Sequence, residues 1–149
     1  MIKIREATEN DSAIVFDCIC GLAKHVHQLD MVTATEQEIK ESFFQPNSHI
    51  NVFVAEKENA ICGYALIFKT FSTFKATTNY HIEDLFIFPE YRNCGIGKTM
   101  LDYIQSYAKN HGANKVEWYV NNANHGAIDF YKKIGAKVLD YKSINYLEV

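Results

Sequence analysis

The chain has 149 residues, 48% of them hydrophobic and 22% charged, and a formal net charge of -3. That length suits a single domain, residues 1–149, able to bury roughly two thirds of its unfolded surface without disulfides or metals, and no apolar run approaches the ~18 residues of a membrane span. The slight acidity excludes a general polyanion binder, which needs clustered Lys and Arg, so neither nucleic acid nor membrane is an expected partner and any anion site has to be local.

The N-terminus, MIKIREATENDS, turns charged at once and lacks the apolar core of a signal peptide, which predicts a cytoplasmic protein. Cys18, Cys20, Cys62 and Cys94 contain no C-x-x-C and read as reduced structural thiols. The His residues are scattered apart from His25 and His27, and no metal site is expected.

Ile2, Ile4 and Ala7 around Lys3 and Arg5 predict a first strand. Asn10, Asp11 and Ser12 then offer caps for a helix whose apolar positions, Ile14, Val15, Cys18, Ile19, Leu22 and Val26, recur with a period near 3.6. Thr35 with Glu38 three residues on is a capping box opening a second helix, which Pro46 helps to end. HINVFVAEKENAICGYALIFKTF reads as a hairpin turning at Glu58 and Asn59. TNYHIEDLFIFPEY is a strand closed by Pro89, and its nearly continuous apolar content predicts cover on both faces.

Ile96, Met100, Leu101, Ile104 and Ala108 mark the next helix, which stops at His111 and Gly112. KVEWYV is a strand, HGAIDFYKKIG a helix ending at Gly135, and AKVLDY with SINYLEV a terminal hairpin or strand pair. The order β-α-α-β-β-β-α-β-α-β-β predicts an α/β (α+β) domain with a mixed sheet flanked by helices.

Residues 91–100, YRNCGIGKTM, join the buried strand to the third helix. They miss G-x-x-x-x-G-K-[ST] by Arg92 and G-x-G-x-x-G by Met100. Their position nevertheless sets the amide hydrogens of Cys94, Gly95, Ile96, Gly97 and Lys98 at a helix N-terminus, where unpaired donors and the dipole favour an anion. Gly95 and Gly97 let a phosphate approach the backbone, Arg92 offers a charge-assisted bond and Lys98 a point charge.

Arg92-Asn93-Cys94-Gly95-Ile96-Gly97 resembles the acetyl-CoA pyrophosphate loop of the GNAT N-acetyltransferases, whose order of elements the chain follows along nearly its whole length. Trp118, Val120, Asn122, Asn124, Ala127, Phe130, Tyr131, Gly135 and Ala136 resemble the family's later motif, W-x-V-x-x-x-N-x-x-A-x-x-F-Y-x-x-x-G-A in one common form. STFKATTNYHIEDLFIFPEYRNCGIG is similar, without gaps, to the diamine and polyamine N-acetyltransferases. The resemblance implies the GNAT fold, with a mostly antiparallel sheet of six to seven strands and about four helices. It also implies acetyl-CoA as cosubstrate, a small-molecule amine acceptor and a homodimer.

The resemblance assigns roles residue by residue. An alkylammonium with a pKa of ~10.4 is neutral in fewer than about one molecule in a thousand at pH 7, and only the neutral amine attacks a thioester. Glu83 falls at the general-base position, acting through water, and Tyr131 at the position of the general acid that protonates the departing thiolate. The backbone of Leu85, Phe86 and Ile87 is expected to meet the pantetheine arm and the developing oxyanion, with Asn124, Gly126 and Ala127 lining the other side. His25, Glu83, Asp84 and Trp118 are expected around the acceptor. The chain departs from the subgroup at Val26, where an acidic residue is usual, and in the loop from Ser72 to Tyr80; a lysine analogue, amino acid, drug or protein amine is the alternative acceptor, and a non-catalytic acyl-CoA sensor the alternative class.

Overall fold

The computed structural model describes residues 1–149. Residues 1–119 form one compact unit and residues 120–149 a second. The first holds a five-stranded sheet in the order β1-β2-β3-β4-β5: β1 (Ile2–Glu6), β2 (Ile50–Lys57), β3 (Ala60–Ser72), β4 (Thr77–Ile87) and β5 (Val116–Trp118). The first four are antiparallel to their neighbours, and β5 runs parallel to β4. Helices α1 (Ser12–His25) and α2 (Glu36–Phe43) follow β1, and α3 (Ile96–Asn110) makes the crossover from β4 to β5.

Local chemistry accounts for the boundaries. Thr35 Oγ1 accepts from the Glu38 amide at 3.2 Å while Glu38 Oε2 accepts from the Thr35 amide at 2.8 Å, the reciprocal box the sequence predicts. Glu58 and Asn59 both have positive φ, 53° and 65°, as a tight two-residue hairpin requires for its twist to match the strands. At the start of α1, Arg5 grips Asp11 with two nitrogens at 2.8 and 2.9 Å and Glu56 with a third at 2.8 Å. That fork ties β1 to the helix entrance and to β2.

Alternation along the strands sorts side chains onto two faces. Val52, Val54, Tyr64, Leu66 and Phe86 pack with Val15 and Cys18 of α1. On the other face Phe53 meets Tyr103 and Tyr107 of α3 edge-on at 5.2 and 5.0 Å, and Tyr80 meets Tyr107 at 5.9 Å. Ile96, Met100, Leu101, Ile104 and Ala108 are the buried positions of α3, the stripe legible in the sequence. Strand β4 is thus covered on both sides, as its apolar run predicts. At Gly63 a Cβ would stand 2.5 Å from the Phe86 carbonyl oxygen, so β3 and β4 approach too closely there for any other residue.

Residues 120–149 contain one helix, α4 (His125–Lys133), capped by Asn124, whose Oδ1 accepts from the Ala127 amide at 3.2 Å. The terminal strand pair expected from AKVLDY and SINYLEV does not form: no strand follows β5, which leaves five strands instead of six or seven. Val138, Leu139, Tyr141, Ile144, Tyr146, Leu147 and Val149 are exposed. Alternating apolar residues make a strand only with a partner ladder, and an isolated hairpin is marginal in water. The Lys142-Ser143 junction also lacks the Asn-Gly or Asp-Gly chemistry that closes a tight turn.

Candidate active site

The site begins with an irregularity in β4. Ile82 pairs with Ile67 and Asp84 with Leu66, so two residues of β4 lie where one step of β3 is taken, and Glu83 is the extra one. A bulge of this kind bends its strand and re-aims the side chain it carries. The Glu83 side chain is 60% exposed, an unusual condition in the middle of an otherwise buried strand.

The same bulge changes which way the backbone points. The Tyr80 amide donates to the carbonyl of Lys115, just before β5, whereas the Phe88 amide donates to the carbonyl of Cys62 in β3. Counting back by twos from Phe88, the backbone groups of Phe86 and Asp84 face β3, and those of Leu85 and Ile87 face the opposite side. Strand β5 is no longer present there: its pairing with β4 covers Tyr80, His81 and Ile82 and ends. Of the three residues expected to offer backbone groups, Leu85 and Ile87 therefore turn them toward the gap between the strands, and Phe86 uses its own within the sheet.

Beyond β4 the chain turns at Pro89–Tyr91 and enters α3 through Asn93 and Gly95, both in the left-handed region at φ 60° and 80°. Gly95 is the N-cap and has no side chain to satisfy the first amides, while helical pairing starts with the Thr99 amide on the Gly95 carbonyl at 3.0 Å. The amides of Ile96, Gly97 and Lys98 are thus available to an outside acceptor. Arg92 does more than the sequence suggests. Its Nε donates to the Ile87 carbonyl at 2.9 Å and its guanidinium lies 5.5 Å over the Phe86 ring. It fastens the loop to the end of β4 and leaves its terminal nitrogens for an anion. Lys98 is engaged with Asp102 at 2.6 Å on the exposed surface of α3.

Asp84 sits on the inner side of β4, where its carboxylate accepts a hydrogen bond from the hydroxyl of wholly buried Tyr64. Burial pushes both acids up: Asp84 above the usual carboxylate range and the Tyr64 phenol far above its ordinary value. Asp84 is therefore turned to the α1 face and held, in contrast to solvent-facing Glu83. His25 closes α1 and is exposed; Trp118 ends β5 and is half-buried. Tyr131 lies in α4, with its ring 5.4 Å from that of Phe130, and burial raises its phenol above the ordinary 10.0. A phenol so placed stays protonated throughout the neutral range. Glu83 belongs to the first unit and Tyr131 to the second.

Sequence reasoning missed His81. It is 5% exposed, its ring lies 5.0 Å from Phe68 and 4.8 Å from Tyr119, and its Nε2 is 3.8 Å from Glu83 Oε2. A histidine two residues before a proposed base was the available signal. The loop that departs from the subgroup lines a separate cavity of about 190 Å³ with Ser72, Lys75, Asn79, Asn114 and Lys115. No group of three or more His, Cys, Asp or Glu side chains converges as a metal site, and no helix is long and apolar enough to cross a membrane.

Residues 22–136 match the model of the acetyltransferase (GNAT) family. The chain is 30% identical over 146 residues to the thialysine N-epsilon-acetyltransferase of Bos taurus, covering 93% of this chain and 85% of that one. It is 27% identical over 148 residues to the peptidyl-lysine N-acetyltransferase YjaB of Escherichia coli K12, covering 99% and 90%. Among solved structures, an aminoglycoside acetyltransferase from an uncultured soil metagenomic sample, in complex with sisomicin, superposes with a TM-score of 0.82 at 19% identity over 99% of this chain and 96% of that one, a likeness of fold. A family model spanning most of the sheet, the glycine loop and α4, together with relatives that align end to end, makes the chain a member of the acetyltransferase (GNAT) family and an N-acetyltransferase.

Proposed function

We propose that the protein transfers an acetyl group from acetyl-CoA to a primary amine of a small molecule, either a diamine or polyamine or a lysine-like amino acid, by direct attack in a ternary complex. The observation that carries this reading is the parting of β4 from β5 after Ile82, immediately before a glycine loop whose helix presents uncapped amides. Diphosphate oxygens suit the amides of Ile96, Gly97 and Lys98, with Arg92, Asn93, Cys94 and Gly95 shaping the turn. The amide-bearing arm of the thioester suits the backbone groups of Leu85 and Ile87, which in this reading also polarise the carbonyl under attack. Asn124, Gly126 and Ala127 complete the cosubstrate's surroundings.

Glu83 removes the ammonium proton through water, and its exposure on the bulge suits a base that has to meet an incoming cation. The free amine nitrogen attacks the thioester carbon, the C–S bond breaks as Tyr131 gives its proton to the thiolate, and the extra proton on the adduct nitrogen passes through water back to the Tyr131 oxygen, leaving a neutral amide and a free thiol. The raised pKa of that half-buried phenol fits a donor. A free lysine-like acceptor is supported by the name of one relative, thialysine N-epsilon-acetyltransferase, and the protein alternative by that of the other, peptidyl-lysine N-acetyltransferase. His25, Asp84 and Trp118 are proposed to surround the acceptor, and two copies to form a dimer, which sedimentation at micromolar concentration tests.

The experiment is a panel of diamines, polyamines, lysine analogues, aminoglycosides and lysine peptides incubated with acetyl-CoA and read by release of free thiol. Turnover with free small amines supports the proposal. Turnover confined to peptides moves the acceptor to proteins, and acetyl-CoA binding without turnover on any amine defeats the catalytic reading.

A further inference from the structure

A buried histidine beside an exposed glutamate is a strained economy unless the pair is used. His81 lies on β4 between Phe68, its register partner on β3, and Tyr119, just beyond β5. The two rings restrict the imidazole to a narrow slot. On β5 its register partner is Glu117, whose carboxylate is drawn to Lys115 at 3.0 Å. Asp84, the next acid along β4, is occupied by Tyr64. The groups that carry or exchange charge around His81 are thus Glu83 on its own strand and Glu117, Lys115 and Tyr119 on the β5 side, and β3 contributes an uncharged ring. Of these, Glu83 is both close, at 3.8 Å from Nε2, and free to move, since its side chain is 60% exposed.

We propose that His81 is the positioning partner of Glu83. This rests on the reading of Glu83 as the general base. In the resting pair, the imidazole Nε2–H is aimed at one carboxylate oxygen and holds it toward the sheet, so that the other oxygen faces the acceptor amine. When the ammonium N–H bond breaks, the proton passes through water to Glu83 and an O–H bond forms. Glu83 gives that proton to water after product leaves, which breaks the O–H bond and regenerates the base.

The test compares kcat, read by thiol release, and acetyl-CoA affinity for the wild type, His81→Phe, Glu83→Gln and the double variant. His81→Phe keeps the ring stack and removes the nitrogen. The expected results are a fall in kcat of about tenfold with acetyl-CoA affinity unchanged, and no further fall when His81→Phe is added to Glu83→Gln. An unchanged kcat in His81→Phe, or effects of the two substitutions that multiply, overturns the role of His81 while leaving Glu83 as base. A Glu83→Gln enzyme as fast as the wild type removes the base itself, and the proposal with it. Should His81→Phe fail to fold, the 15N-imidazole resonances of His81 in the wild type and in Glu83→Gln decide the pairing. An Nε2 resonance that shifts on loss of the carboxylate supports it, and an unmoved resonance overturns it.

Discussion

The hydroxyl of Tyr64, sealed in the sheet, donates a hydrogen bond to the carboxylate of Asp84, one residue beyond the bulge that turns Glu83 to solvent. Consecutive acids thus occupy opposite environments. Burial raises the folded-state pKa of Asp84, so its contribution to stability is greatest below the unfolded carboxylate value and is lost as pH rises through the folded value. The Tyr64 hydrogen bond offsets that loss by favouring the charged form. Tyr64→Phe removes the donor and is expected to cost about 1–3 kcal/mol, more at pH 8 than at pH 4. Urea unfolding at the two pH values measures it, and an equal loss at both refutes the assigned ion.

Asp11 behaves in the opposite sense. The Arg5 guanidinium holds its carboxyl down to about 2 from an ordinary 3.8. A depressed folded-state pKa gives stability that is complete above the unfolded value and lost as pH falls toward the folded one. Between about pH 4 and pH 2 the wild type is expected to lose stability more steeply than Asp11→Asn. Thermal melts across that range check it, and parallel curves would exclude the ion pair as the cause.

Arg92 has a double duty, pinning Ile87 and facing the proposed diphosphate site. Arg92→Ala is expected to weaken coenzyme A binding by about tenfold or more, and Arg92→Lys to restore only part of it, since an ammonium cannot bond the Ile87 carbonyl and cover the Phe86 ring at once. Titration calorimetry with coenzyme A reads both, and unchanged affinity in Arg92→Ala would remove the loop from the binding site.

Tyr131→Phe is expected to lower kcat by about two orders of magnitude while leaving coenzyme A affinity within about twofold, the signature of a contact made in the transition state. Steady-state kinetics with calorimetry separates the two quantities. Retained kcat would mean that another group or water protonates the thiolate.

Gly63→Ala introduces a methyl 2.5 Å from the Phe86 carbonyl oxygen. Because that obstacle is backbone, the expected penalty is about 1–3 kcal/mol, accompanied by weaker acetyl-CoA binding as Leu85 and Ile87 shift. Denaturant melts and calorimetry measure the pair. Weakened stability with normal binding would show that the end of β4 tolerates displacement.

The features legible in the sequence are those written in neighbouring residues. The Thr35–Glu38 box, the turn at Glu58 and Asn59, the buried stripe of α3 and the glycine loop all depend on contacts within a few positions. What escaped depends on register between distant segments. The bulge at Glu83 exists because of how β4 meets β3 across sixteen or so residues, and the direction of the Leu85 and Ile87 backbone follows from it. The shortness of β5 escaped because KVEWYV has the composition of a longer strand, yet pairs for three residues only. Strand propensity in the last fourteen residues was likewise real but found no ladder. His81 looked like one more strand residue until Phe68 and Tyr119 were seen on either side of it.

The early stop of β5 also bears on handling the protein. A strand flank that turns the backbone of Leu85 and the amide of Ile87 away from β3, with the Ile87 carbonyl taken by Arg92, is expected to be sticky toward any extended polyamide, whether the tail of a thioester or a stray segment from another molecule. Occupancy by the former competes with clumping through the latter. Melting temperature should therefore climb with the logarithm of coenzyme concentration once saturation is passed, and turbidity on warming should fall in step.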